Sequence, residues 1–240
     1  MTSKKILTTF LLAIAFQFGF SQDTATFFGK ADGFFKTYVK NGRVAYKEIK
    51  ANPESLNELL NLAKTISISK SDAKTYQAFW INGYNLSVIK GIVDNYPIKS
   101  PLDKAGFFDK ITYDIGGKNT TLNDIENKLL RANFPKEARF HFVLVCAGLG
   151  CPPIINSAYL PNTLDAQLQK QTELSLNDSN FIRLKGKKVS LSQIFEWYKS
   201  DFIQGGKSLV DFVNQYRKEK IDSSAKVGYY PYDWTLNETK

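Results

Sequence analysis

The chain has 240 residues, 43% of them hydrophobic and 14% aromatic, which fits one globular domain with ample material for a core. Its formal net charge is +9, from 32 basic and 23 acidic residues. The lysines are scattered, from Lys36 and Lys40 through Lys70 and Lys110 to Lys170, so they form no basic stripe of the kind that marks a nucleic-acid protein; the charge reads as a solvated surface with some affinity for anionic envelope material.

Lys4 and Lys5 precede an apolar run from Ile6 to Phe20, and small residues at Gly19 and Ser21 lead into polar Gln22-Asp23. This is the layout of a secretory signal peptide over residues 1–21, cleaved after Ser21. The run is shorter than the about 20 apolar residues of a comfortable span, and no later segment reaches that length. No cysteine follows it to carry a lipid anchor. An exported protein, periplasmic or extracellular, is expected, with residues 22–240 as a single globular domain and no transmembrane span after cleavage. Its partner is then an envelope or extracellular ligand, not a nucleic acid, and no cofactor is expected.

Residues 24–39 read as a helix with Phe27, Phe28, Phe34, Phe35 and Val39 on its apolar side. Asn52-Pro53 opens a second helix through Leu56, Leu59, Leu60 and Ala63. Ser71-Asp72 starts the strongest helix, which runs to Tyr96 and stops before Pro97. Ile111–Ile115 with Gly116-Gly117 predicts a tight hairpin. Thr121, with Asp124 three positions on, caps a short helix. The continuous apolar run Phe140–Cys146 predicts a buried central strand at 140–146. Gly148–Pro161 is a loop, and Thr163–Leu176 an amphipathic helix. Lys185-Gly186-Lys187 joins a second hairpin. Two helices follow at 192–202 and 208–217, and Val227–Trp234 closes the chain as an aromatic strand. Helices and strands do not alternate regularly, so the expected fold class is α+β, with helices packed around a small sheet.

Four segments carry a resemblance: Ala78–Asn85 (AFWINGYN), Leu122–Glu126 with Leu130-Arg131, His141–Pro153, and Tyr232–Asn237 (YDWTLN). Together they resemble the family called domain of unknown function 547, over about 76–237. The chain has Asn127 where the family pattern has a histidine. The resemblance implies a shared fold and assigns no activity, so the chemistry rests on the residues.

The only histidine, His141, and both cysteines, Cys146 and Cys151, fall within eleven positions. In a strand, His141 and Cys146 would point to opposite faces. Cys151 lies beyond Gly148 and Gly150, whose freedom lets the loop fold back to either residue. Three readings follow. Cys146 and Cys151 form a structural disulfide, which export favours. Alternatively Cys151 is a thiolate nucleophile with His141 as its base, in a hydrolase or acyltransferase. The third is a metal site of His141, Cys146, Cys151 and a carboxylate such as Glu126, although the spacing fits no common zinc motif.

Asn82 and Asn85 share a side of an otherwise apolar helix. They are either polar clamps to neighbouring backbone or orienters of His141. Gln77, near Asn85 around the helix, is a candidate oxyanion donor. Trp80, Tyr84, Glu126 and Arg131 are the candidate binding residues, with Glu126 and Arg131 expected to pair. Tyr229, Tyr230, Tyr232 and Trp234 either line a glycan-binding face or pack as core.

Overall fold

In the computed structural model, which describes residues 23–240, the organising element is the long helix expected after Ser71-Asp72. The signal peptide expected at 1–21 lies outside the described residues. A helix over 23–38 (α1) leads into a ribbon of β1 (Val39–Lys40) and β2 (Arg43–Val44). Then come α2 (Tyr46–Ala51), α3 (Glu54–Thr65) and α4 (Ala73–Asn95). The Asp72 carboxylate caps α4 by accepting from the Thr75 amide, and the helix ends one residue before Tyr96, which is joined to Pro97 by a cis bond. Between Tyr76 and Val93 every α4 side chain but Gln77 and Lys90 is buried. A helix apolar all round belongs in the centre of a fold, and α4 is there.

The hairpin of β3 (Thr112–Ile115) and β4 (Lys118–Thr121) turns through Gly116 and Gly117, both left-handed at φ 64° and 69°, the pair of positive values a tight hairpin of this kind needs. A side chain on Gly116 would also run into the Trp80 ring at 2.6 Å. Thr121 caps α5 (Leu122–Asp124) by accepting from the Asp124 amide. The chain continues as a π-helix over Ile125–Arg131 and a 3-10 turn over Ala138–Phe142. After a long loop come α6 (Leu164–Asn177), β5 (Ile182–Lys185), β6 (Lys188–Ser192), α7 (Ile194–Trp197), α8 (Lys199–Phe202), α9 (Leu209–Tyr216) and β7 (Lys226–Tyr230). β5 and β6 are antiparallel, whereas β7 joins β6 in parallel. The fold is α+β, one compact body in which a helix and not a sheet holds the centre. The sheets among the described residues are small: β1-β2, β3-β4 and β5-β6-β7. No helix among the described residues is long and apolar enough to cross a membrane.

The central strand expected at 140–146 is not formed. Its burial is as expected, with Phe140, Phe142 and Val143 fully buried. An apolar run of that length fits a buried strand and a buried helical turn equally well, and the turn wins because its backbone has other partners. The Val143 amide bonds the Phe140 carbonyl at 3.1 Å, as a 3-10 turn requires. From Val143 on, a side chain replaces the neighbouring strand. Asn85 donates to the Val143 carbonyl and accepts from the Val145 amide, both at 2.9 Å. Asn82 does the same for the amide and carbonyl of Tyr159, at 3.0 and 2.8 Å, and also donates to Ala78. Two side-chain amides on one face of α4 thus pin both ends of the 143–159 segment.

Replacing Asn85 with Ala strands two buried backbone groups, a loss of about 2–4 kcal/mol. Gln77, which bonds only the Ala73 carbonyl of its own helix, should cost under about 1 kcal/mol when changed to Ala. Urea denaturation of the two variants measures both, and similar losses would contradict the clamp.

Candidate functional site

The segment 146–151 is shaped by its neighbours more than by glycine freedom. Neither Gly148 nor Gly150 has a positive φ; the left-handed residue is Ala147, at φ 65°. The glycines are needed because the C-terminal strap passes directly over them. A Cβ on Gly150 would lie 2.9 Å from the Asp233 amide nitrogen, and one on Gly148 would lie 3.0 Å from the Asp233 carbonyl oxygen. That contact is stitched by backbone: the Gly150 amide donates to Asp233, Leu149 to Thr235 and Asn237 to Ala147, at 2.7–2.8 Å.

Within this loop Cys146 and Cys151 are joined in a disulfide, and no cysteine is free. The Tyr232 hydroxyl lies 2.9 Å from each sulfur. In this state Cys151 carries no thiol, so the thiolate nucleophile expected there is not available.

His141 sits in the 3-10 turn, buried, with its ring 4.2 Å from the Tyr198 ring and 5.1 Å from Phe202. Its Nε2 is 2.8 Å from Asp201 Oδ2, and the same oxygen accepts from Arg131 Nε at 2.7 Å. Burial pushes the Asp201 carboxyl up, but the bonds from His141 and Arg131 outweigh it and hold the group well below the usual carboxylate range. Arg131 also lies over the Tyr198 ring at 4.8 Å, and it donates to Asn127. The orienter of His141 is therefore Asp201, not Asn82 or Asn85, whose amides are spent on backbone. The expected Glu126–Arg131 pair is replaced by Arg131–Asp201. Asp201 lies sixty positions from His141 and in no motif.

His141 and Tyr198 border a half-open cavity of about 320 Å³. Tyr84, Phe108, Trp197, Tyr198, Tyr232 and Trp234 form its ring walls, with Leu144 and Ile194 between them; Glu126, Asn123, His141 and both disulfide sulfurs complete it. His141 and Cys146 thus share one cavity, which strand parity had forbidden and a turn permits. Burial pushes the phenols of Tyr84, Tyr198 and Tyr232 up, and the negative charge of Glu126 pushes them further, so all three are neutral hydroxyls at physiological pH. Tyr84 and Glu126 of the expected binding set face the cavity. Arg131 lies behind its wall, and Trp80 is packed away against Phe79 and Tyr76. Tyr232 and Trp234 line the cavity, whereas the ring of Tyr230 packs under Arg183 at 3.6 Å. Among the described residues no group of three or more His, Cys, Asp or Glu is placed to hold a metal ion. The set His141, Cys146, Cys151 and Glu126 borders the cavity with its two sulfurs bonded to each other.

The fold and site define an α+β domain with a ring-walled cavity backed by a disulfide and a His–Asp pair. Residues 68–174 match the model of a family described as protein of unknown function, DUF547. The match takes in α4, the π-helix and the His141–Cys151 segment, and ends before Asp201 and the C-terminal strap. No curated protein and no solved structure matches the chain.

Because the Asp201 carboxyl is held below its ordinary value near 4, its stabilisation is complete above about pH 5 and is lost as pH falls through and below that range. Asp201→Asn should therefore be less stable than the wild type at pH 7, with the gap closing as pH drops from about 5 towards 2. Denaturation midpoints across that range check this, and a gap independent of pH would rule out the ionic account.

Proposed function

We propose that the protein is an exported, disulfide-stapled binding domain whose aromatic cavity holds a small envelope or extracellular ligand. The observation that carries this reading is the composition of the cavity wall: six rings and a few polar groups converge on one space, while the candidate nucleophile Cys151 is bonded to Cys146. Small-molecule sites have this make-up, mostly apolar with a few placed polar groups. Export, to the periplasm or beyond, is supported by the Lys4-Lys5 and apolar-run pattern at the N-terminus and by the disulfide, since such bonds persist in oxidising compartments.

A second reading keeps the thiol chemistry for a reduced form. His141 is oriented by Asp201, and the two cysteines border the same cavity. Reduction would give a Cys–His–Asp set suited to hydrolysis or acyl transfer.

Two of the three tryptophans, Trp197 and Trp234, line the cavity, so occupancy should be visible in fluorescence. Benzyl alcohol, a neutral ring compound, is expected to give a saturable change in the oxidised protein that is lost in Trp234→Ala. A linear response, or one that the variant keeps, counts against the binding reading. The thiol reading instead expects turnover of an activated ester only after reductant is added, and none in Cys151→Ala.

A further inference from the structure

The cavity has one feature that a general apolar pocket lacks. Glu126 is a half-buried carboxylate on its wall, and no Lys, Arg or His nitrogen lies within 4 Å of it among the described residues, although the neighbouring acid Asp124 pairs with Lys128 and Asp201 with Arg131. Its contact in the site is the Tyr198 hydroxyl. The one nearby cation, Arg131, is turned to Asp201, and no Lys or Arg lines the cavity at all. The rings around it are close-set: Tyr232 and Trp234 lie 4.7 Å apart, Trp197 and Tyr232 5.1 Å, and Trp197 and Trp234 6.1 Å and nearly parallel.

Aromatic faces are the negative side of the ring quadrupole, and a cation placed over several of them within about 6 Å is held most strongly where water is excluded. A carboxylate with no cation of its own, set among such faces, completes that arrangement. We propose that the cavity binds a small organic cation of the methylated-ammonium class, with Glu126 as counter-ion and Tyr198, Trp197, Tyr232 and Trp234 as the ring wall. This rests on the reading of the cavity as a ligand site and names the ligand's chemistry. An anionic ligand finds no Lys or Arg on the wall, and the one basic ring there, His141, is bonded to Asp201. The cavity is locally acidic in a chain of net charge +9, so its selectivity is set at short range; at physiological salt the surface charge is screened beyond about 8 Å. The same chemistry exists free and on a phosphocholine headgroup. With no Lys or Arg on the wall to meet a phosphate, the free cation is the expected occupant.

The test compares choline with 3,3-dimethylbutan-1-ol, which has the same shape and no charge, by fluorescence of the oxidised protein. Choline should bind at least about tenfold more tightly than the alcohol. Glu126→Gln should narrow the choline-to-alcohol ratio to the part the rings supply and leave the alcohol unchanged. Phosphatidylcholine vesicles should give no response; a response to them as well as to choline keeps the cation class and assigns it to the headgroup. If the alcohol binds as well as choline, the cation inference is overturned while the ligand site stands. If choline and the alcohol both fail and benzyl alcohol still saturates, the inference is likewise overturned. If no compound gives a saturable change, the ligand-site reading falls with it. The choline-to-alcohol ratio in the wild type needs no variant, so a folding defect in Glu126→Gln cannot shield the proposal.

Discussion

The structure depends on two asparagine side chains acting as pieces of backbone. Buried peptide groups must be hydrogen-bonded, and the 143–159 segment crosses the core where no strand is available to pair with it. Asn85 and Asn82, three positions apart on the face of α4 turned to that segment, each offer one donor and one acceptor. That lets a loop lie in the core as a strand would. Everything of chemical interest follows from it: His141 is in the turn just before the first clamp, and the disulfide lies between the two clamps. An apolar pair at 82 and 85 would pack well enough, and the loop would then have to leave the core to find water for its peptides.

Behind the cavity, charge is balanced within one small cluster. Asp201 is about one-fifth exposed and meets two donors through a single oxygen. A buried carboxylate with one partner barely recovers its desolvation. With Arg131 and His141 both on it, and both stacked on the Tyr198 ring, the charge is held and the imidazole is fixed in place. This spends Arg131 on Asp201 and leaves Glu126, five residues earlier in the same π-helix, without a cation. π-Helical turns are rare and cluster at functional sites, because the extra residue per turn re-aims the side chains around it.

The parts of this arrangement that were legible in the sequence are those that local chemistry decides. Asp72 and Pro97 set the limits of α4, Gly116-Gly117 and Gly186 turn their hairpins, and Thr121 caps its helix. Burial at 140–146 was legible too, because it needs only apolar residues. Its conformation was not, because it was decided by Asn85, far away in sequence. The role of Gly148 and Gly150 was misread for a related reason: glycine signals freedom or close approach, and the strap that makes the approach lies some eighty residues on. That Cys151 could return towards His141 was legible in the loop; that Cys146 faces the same cavity was not, because it depends on the turn at Ala138–Phe142. Asp201 was not visible, since a lone carboxylate in a short helix looks like any surface acid until the fold turns it inward.

The cavity is also a composite in sequence. Tyr84, Phe108, Glu126, His141 and both cysteines fall within the 68–174 match, whereas Ile194, Trp197, Tyr198, Tyr232 and Trp234 fall after it. The two halves are not free to vary independently. The strap that carries Tyr232 and Trp234 is bonded to the disulfide loop through its backbone, and the Tyr232 hydroxyl rests on the sulfurs themselves. A change that opens the Cys146–Cys151 bond therefore acts on the ring wall as directly as on the loop. The ring wall is thus built largely from residues outside the matched stretch, while Glu126, His141 and the disulfide at its polar end lie within it.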